Sequence, residues 1–367
     1  MTIKPLNKGS MIGILGAGQL GRMLAQAASD YGYQTHIYAP DNQLDQTPAG
    51  QVAAHVTQAA YDDETALAEF AQSVDVISYE FENVPRDTAA FLSRLKPVRP
   101  GEKALEVAQD RLVEKTFIRQ QGLGVADFAD IKTRDDLTEA WQAFGQDAIL
   151  KTRRFGYDGK GQWRVRSIAD CEAAFNALNG QAAILEKCIP FDCEVSIIAA
   201  RNLSGEIAVF DCVENVHENH ILKYSYAPAQ IDDQLHQQSL ALAETMLTAL
   251  DYIGVLAIEL FVCGQDLLVN EIAPRVHNSG HWTMNACAAS QFHQHILAIT
   301  GHQLADPKRE YDAIMTNLLG DELAEAKNAP AQPSSYLHDY GKQTARTGRK
   351  MGHLNTLYPL GALPRKA

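Results

Sequence analysis

Two apolar, β-rich runs joined by a turn, each interrupted by one acid, constrain this chain more than any other stretch. Val255 to Val262 is β-rich, Cys263-Gly264-Gln265-Asp266 reads as a turn, and Leu267 to Ile272 is the return strand. Glu259 interrupts the first arm and Glu271 the second, and strand pairing around the turn can bring them onto one face. Two close carboxylates repel unless a cation lies between them. Hard oxygen ligands suit Mg²⁺, above all Mg²⁺ that also holds phosphate oxygens. Asn270 adds a neutral oxygen beside them, and Arg275, His277 and Asn278 follow at once, a set suited to holding a small planar anion next to the metal. A solvated hairpin with ordinary surface acids would look similar, so the pattern needs support from the rest of the chain.

The length, 367 residues, is enough for roughly two or three domains with a sizeable core. The net charge of −13, from 32 basic and 45 acidic residues, disfavours a general polyanion binder and leaves room only for local basic pockets, so no nucleic-acid partner is expected. No apolar run approaches a membrane span, and the start MTIKPLNKGS lacks the apolar stretch of a secretion signal. A cytoplasmic protein without a membrane partner is the expectation. The six cysteines form no CxxC pair, which points to scattered reduced thiols, neither a zinc site nor a disulfide framework.

Met11 to Leu15 reads as a buried strand running into Gly16-Ala17-Gly18-Gln19-Leu20-Gly21, then a helix from Arg22 to about Asp30, broken by Gly32, then a strand from Gln34 to Tyr38. This is a βαβ start whose glycines let a backbone approach a ligand at a helix N-terminus. Asp41 lies at the distance a dinucleotide site wants, but beyond Pro40 and the strand end, so no nicotinamide site is assigned. The strand from Val74 to Ser78 ends in Tyr79-Glu80-Phe81-Glu82-Asn83, an acid cluster at the edge where open α/β sheets bind ligands, and equally a helix N-terminal cluster before Pro85. Asp110 and Arg111 open a helix closed by Gly122, in which Arg111, Glu114 and Lys115 can pair with one another. Ala148 to Lys151 is a strand with lysine at its end. It opens into a loop, Thr152 to Trp163, rich in glycines, cations and aromatics: a poor core segment, a good flap over phosphates, or a surface hairpin. Strands are expected from Ala182 to Lys187, Glu194 to Ala200 and Ile207 to Val213, and helices from Ser239 to Leu250 and Cys287 to Thr300. The run Tyr340 to His353 is glycine-rich and basic in an acidic protein, either a solvated hairpin or a phosphate clamp.

Taken together, the Rossmann-like half, the Arg-led helix, the strand lysine, the glycine flap, the Glu-Lys strand and the Glu…Asn-Glu pair resemble, in order, the ATP-grasp ligases. The segments GAGQLGRM, YEFENV, QDRLVEK, KTRRFGYDGKGQ, VENVH, NEIAPRVHNSGHWT, QFHQH and YGKQTARTGRKMGH are similar to the N5-carboxyaminoimidazole ribonucleotide synthetase family of purine biosynthesis. They run from Gly16 to His353, with NEIAPRVHNSGHWT the most specific and GAGQLG the least. The resemblance implies an α/β fold of α+β ATP-grasp type: a Rossmann-like pre-ATP-grasp domain over 1–110, an ATP-grasp domain over 111–305 and a small C-terminal β-rich domain over 306–367. It implies ATP- and bicarbonate-dependent carboxylation of 5-aminoimidazole ribonucleotide (AIR) through carboxyphosphate, with ADP and phosphate released, in a homodimer.

The implied metal is Mg²⁺, with Mn²⁺ as the alternative, on Glu259 and Glu271. The implied ATP site comprises Arg111, Lys151 and His217 along the phosphates and the flap Gly156, Tyr157, Asp158, Gly159, Lys160, Gly161 and Gln162. Main-chain groups of Glu186, Lys187, Cys188 and Ile189 would meet adenine, Glu194 the ribose, and Asn270 and Glu271 the metal-bound phosphates. Arg275, His277 and Asn278, with Asp158, carry the implied catalysis. AIR would meet Gln19, Leu20, Glu80, Tyr157, Asp158, Arg275, Lys342 and Arg349, the last two at its 5′-phosphate. Three rival readings stand beside this one. They are another ATP-grasp carboxylate–amine ligase such as a formate-using ribonucleotide transformylase, a nicotinamide-dependent dehydrogenase resting on Gly16 to Gly21 and Asp41, and a non-catalytic nucleotide-binding module.

Overall fold

Strands and helices alternate along the first part of the chain and build a parallel sheet. In the computed structural model, which describes residues 4–156, 159–330 and 332–364, its strands are β1 (Met11–Leu15), β2 (Gln34–Ala39), β3 (His55–Gln58) and β4 (Val76–Tyr79), in spatial order β3-β2-β1-β4. β1 and β4 are buried along nearly their whole length, as expected of parallel strands covered on both faces. The helix after β1 spans Gln19–Asp30 and so begins ahead of the expected Arg22, because extended Gly18 serves as its N-cap. It stops at Tyr31, before Gly32 turns the chain with a φ of +80° that glycine adopts freely.

A smaller antiparallel sheet follows: β5 (Phe128–Ile131), β6 (Ala148–Thr152), β7 (Gln162–Val165) and β8 (Ala183–Lys187), in order β5-β8-β6-β7. Two helices, Arg134–Ala143 and Ile168–Ala177, cover it and close a separate core around Leu137, Trp141, Leu150 and Leu185. The glycine flap is the connection between β6 and β7.

The rest of the chain forms one nine-stranded sheet: β9 (Cys193–Arg201), β10 (Ile207–Val209), β11 (Val213–Glu218), β12 (Ile221–Ala227), β13 (Gly254–Cys263), β14 (Asp266–Ala273), β15 (Asp312–Leu319), β16 (Ser335–Asp339) and β17 (Lys350–Tyr358). Its order is β14-β13-β9-β11-β12-β15-β17-β16, with β10 beside β9. Ile207 to Val213, expected as one strand, breaks in two. The C-terminal strands join β12 through β15, so they extend the central sheet and do not form a sheet of their own. The helix expected from Cys287 begins only at Gln291, where Ser290 and His293 make a reciprocal capping box. Among the described residues no helix is long and apolar enough to cross a membrane.

β13 runs between two cores. Val255 and Ala257 pack with Leu24, Trp282 and Ile296, a core that the parallel sheet shares. Leu256, Ile258, Leu260 and Val262 pack against the helix Asp233–Ala249 through Leu242 and Met246. By strand alternation Glu259 continues the Val255–Ala257 face and leaves the second core. His295, which the sequence left without a role, is a structural tie: fully buried, it meets the Ser78 hydroxyl through Nε2 at 2.8 Å and accepts the Val255 N–H at Nδ1.

Candidate active site

The hairpin decides where the acids point. Pairing from Cys263↔Asp266 to Leu260↔Val269 would by plain continuation set Glu259 opposite Asn270 and turn Glu271 toward the second core. Instead the register slips there, and Glu259 pairs directly with Glu271. The extra residue, Asn270, makes a β-bulge, which flips the strand beyond it by one position. Ile272 therefore enters the second core, and Glu271 shares the face of Glu259.

A bulge leaves main-chain groups without ladder partners, and the helix Arg111–Gln120 meets them. Lys115 Nζ donates to the Asn270 carbonyl at 2.8 Å, Glu114 accepts the Ile272 N–H at 2.6 Å, and Arg111 donates to Glu271 at 3.0 Å. The in-helix pairing expected for these three residues gives way to this docking across to β14. Lys115 also lies 3.3 Å from Glu186, which accepts from Lys151 Nζ at 2.9 Å. Burial alone would raise Glu186, but Lys115 and Lys151 outweigh it and hold the carboxyl at about 2. Its second oxygen, Oε1, is buried with no protein partner.

One cleft gathers most of the expected residues. Arg111, Lys151, Glu194, His217, Asn270 and Glu271 line it, with Glu259 opposite Glu271. Gly156, Gly159 and Gln162 of the flap line it too, as do Arg275, His277 and Asn278. Burial and the neighbouring Glu271 push Glu259 up to about 7. Burial would also raise Glu271, but its hydrogen-bonded partner Arg111, helped by Lys151, holds it below the ordinary range. Two opposed acids of which one is driven toward its neutral form are a site short of positive charge. The donor set fits Mg²⁺. Among the described residues no group of three or more His, Cys, Asp or Glu side chains forms a metal cage, so the ion would share these two carboxylates with phosphate oxygens, as Mg²⁺ commonly does.

Arg275 donates through Nε to Glu82 at 2.5 Å, and burial of Glu82 is overcome by that guanidinium, which brings the carboxyl down to about 2. His277 is pushed down to about 3, by burial first and by Arg275 next, and is therefore a neutral imidazole. The Ser279 N–H donates to its Nδ1 at 3.3 Å, which places the ring proton on Nε2, 3.3 Å from Glu259. Asn278 carries the plainest sign of a missing ligand: both amide atoms are buried and neither has a protein partner. His217 Nδ1 lies 2.7 Å from Glu194, whose charge more than offsets burial and raises the imidazole.

Other expected residues sit elsewhere. Lys160, Gly161 and the strand end from Glu186 to Ile189 do not line the cleft directly. The N–H groups of Lys187 and Cys188 donate to the carbonyls of Asp127 and Asp147, so those two donors are already committed. Tyr157 and Asp158 lie outside the described residues. Glu80 is buried and accepts N–H groups from Gly18 and from Gly21, the latter at 2.7 Å. A Cβ on Gly16 would lie 2.5 Å from the Glu80 side chain and one on Gly18 2.8 Å from it, so these glycines make room for the chain's own carboxylate. With an acid already at the helix N-terminus, a dinucleotide pyrophosphate is displaced from its usual seat, and the dehydrogenase reading loses its basis. Leu20 is buried and Gln19 partly exposed at the same helix start. Lys342 and Arg349 lie in the β16–β17 connection, with Lys342 close enough to Arg349 and Glu80 to feel both charges.

Sequence reasoning left several cleft residues without a role. Glu82 was legible only as an acid at a strand end. Phe191 and Phe261 stack in parallel at 4.7 Å and give the cleft an apolar wall. His220, beside Gly159, and Lys350 also line it, and no motif signalled the aromatic pair or His220.

A flap between antiparallel strands, a hairpin with opposed acids and a strand lysine facing one cleft define an ATP-grasp ligase. The comparisons agree domain by domain: residues 10–109 match the ribonucleotide synthetase preATP-grasp domain, 116–292 the ATP-grasp domain and 313–359 the phosphoribosylaminoimidazole carboxylase C-terminal domain. The N5-carboxyaminoimidazole ribonucleotide synthase of Brucella melitensis is 48% identical over 96% of this chain and 98% of its own length. A solved N5-carboxyaminoimidazole ribonucleotide synthetase in complex with ADP superposes with a TM-score of 0.92 at 40% identity, over 98% of this chain and 94% of the other. The Aspergillus clavatus enzyme in complex with ADP and 5-aminoimidazole ribonucleotide superposes with a TM-score of 0.88 at 30% identity, over 96% and 94%. The chain belongs to the N5-carboxyaminoimidazole ribonucleotide synthase family.

Proposed function

We propose that this cleft carries out the ATP- and bicarbonate-dependent carboxylation of AIR, and that its residues divide the work as follows. The opposed Glu259–Glu271 pair is the observation that carries the reading. It is a charge-deficient seat for Mg²⁺, flanked by the cations Arg111 and Lys151. When bound, the ion supplies charge neutralisation for the transferred phosphoryl group, and Asn270 adds a neutral oxygen. Arg111, Lys151 and His217 donate along the phosphates. Glu194 accepts from ribose hydroxyls. Adenine lies at the end of β8, where the unpartnered Glu186 Oε1, the carbonyls and Ile189 remain for it and the Phe191–Phe261 pair offers an apolar surface. The flap, with Lys160 and Gly161, closes over the nucleotide. Closure has a purpose, because carboxyphosphate reacts with water.

In the first step a bicarbonate oxygen forms a bond to the γ-phosphorus, the bond to the bridging oxygen breaks, and ADP leaves. The Arg275 guanidinium, held by Glu82, and the unpartnered Asn278 amide orient the bicarbonate oxygens. Neutral His277 donates toward Glu259, so the acid pair keeps its alignment. In the second step the 5-amino nitrogen of AIR attacks the carboxyl carbon of carboxyphosphate, phosphate leaves, and the amine proton passes to Asp158. Gln19, Leu20, Glu80 and Tyr157 flank the imidazole ribonucleotide, and Lys342 and Arg349 take its 5′-phosphate. The parts 1–110, 111–305 and 306–367 thus contribute AIR, ATP and phosphate contacts in turn, in a cytoplasmic homodimer. Phosphate release with ATP, bicarbonate and AIR, each omitted in turn, tests this. Release should need all three, and release independent of bicarbonate would overturn the reading.

A further inference from the structure

We propose that Gln51 is a positioning residue for the substrate phosphate: it fixes the turn that carries Lys342, and it does so from the helix that opens at the same substrate. The inference rests on Lys342 binding the 5′-phosphate, as argued above.

Gln51 lies in the short helical turn Gly50–Val52 and is itself exposed. Its Nε2 donates to the Gly341 carbonyl at 2.7 Å and to the Gln46 carbonyl at 2.9 Å. Its Oε1 accepts from Arg22 Nη1 at 2.9 Å, and the same nitrogen donates to the Pro48 carbonyl at 3.1 Å. Every hydrogen-bonding direction of the amide is thus used between segments far apart in sequence. Gly341 is held from its other side as well, since its N–H donates to Asp339 at 2.8 Å. It has a φ of +73°, and a Cβ there would lie 2.4 Å from the Gln51 oxygen, so this approach is open to glycine alone.

The contacts close a ring. Lys342, the residue after Gly341, donates to the Lys350 carbonyl at 2.6 Å and lies near Arg349 and Glu80. Glu80 holds the N–H groups of Gly18 and Gly21, and Arg22 is the next residue of that helix. The path Glu80, Gly21, Arg22, Gln51, Gly341, Lys342 therefore returns to its start around the substrate side of the cleft. An exposed amide of this kind adds little to folding, but it sets how far the Lys342 turn stands from the helix start.

The test is a steady-state comparison of Gln51→Ala, Gln51→Glu, Lys342→Met and the Gln51→Ala/Lys342→Met double variant, with AIR and ATP varied separately. Gln51→Ala should raise KM for AIR about three- to tenfold, with kcat, KM for ATP and the melting midpoint nearly unchanged. Gln51→Glu keeps the acceptor for Arg22 but sets an oxygen against the Gly341 carbonyl, so it should do at least as badly. In the Lys342→Met background Gln51→Ala should add no further loss. The inference is overturned if Lys342→Met raises KM for AIR while Gln51→Ala does not, if the two losses multiply, or if Gln51→Ala weakens ATP and AIR alike. An unchanged KM for AIR in Lys342→Met would instead bring down the phosphate-clamp reading itself, and this inference with it.

Discussion

Replacing Lys342 by methionine isolates the phosphate clamp, because the apolar stem stays and only the charge goes. In the free protein that charge is disfavoured: burial, then the nearby Arg349, lower Lys342 from 10.5 to about 8. The shift corresponds to about 3 kcal/mol against the ammonium relative to water. Methionine relieves that cost but leaves the Lys350 carbonyl without its donor, a loss of about 1–3 kcal/mol where the carbonyl is shielded from water. The two effects oppose, so the melting midpoint should hardly move. Substrate binding has no such compensation. A charge-assisted hydrogen bond to a phosphate is worth about 1.5–3 kcal/mol, which converts to a rise of roughly ten- to 150-fold in KM for AIR. KM for ATP should stay within about twofold. The same lysine gives the wild type a pH dependence. Only the ammonium binds phosphate, and it is lost as pH rises through about 8, so KM for AIR should climb above that pH in the wild type and not in Lys342→Met. Equal losses for ATP and AIR, or a wild-type KM for AIR that is flat between pH 7 and 9 (about one unit on either side of the lysine's value), would refute the reasoning.

Further outcomes follow from the same geometry. Arg349→Ala should raise KM for AIR in the same direction as Lys342→Met while sparing KM for ATP, measured in the same assay. Glu271→Gln should keep the fold by melting but lower turnover by roughly a thousandfold or more, since an amide cannot neutralise Mg²⁺; wild-type rates would remove Glu271 from the metal site. Asn278→Ala breaks no protein hydrogen bond, so stability should be nearly unchanged while KM for bicarbonate rises about tenfold. Trypsin should cut the flap after Lys160 and be slowed by Mg·ATP, because Arg153 is held by Asp110 and Asp130 and Arg154 by Gln109; equal rates with and without nucleotide would argue against a closing flap.

The residues most legible in the sequence were those whose chemistry is local. Met11–Leu15, the helix opened by Asp110 and the two arms of the acid hairpin stand where pattern and capping chemistry placed them. The opposition of Glu259 and Glu271 was legible only as an option. A two-residue connection by itself pairs Glu259 with Asn270, and the bulge that corrects this depends on Lys115, Glu114 and Arg111 from a helix more than a hundred residues earlier. Such long-range satisfaction of main-chain groups leaves no periodic trace. The glycines of GAGQLG were legible as a close approach, but what approaches is Glu80, and no spacing rule names that partner. The pairing of Arg275 with Glu82 and the stacking of Phe191 on Phe261 are likewise products of sheet order.

The central claim is that bicarbonate attacks the γ-phosphate of ATP within this cleft before AIR is carboxylated. Turnover with ¹⁸O-labelled bicarbonate, followed by mass analysis of the released phosphate, tests it most directly. Because the attacking oxygen stays on phosphorus when carboxyphosphate collapses, the account predicts phosphate carrying one bicarbonate-derived oxygen for each AIR carboxylated. Phosphate free of label, alongside labelled carboxylated product, would contradict it.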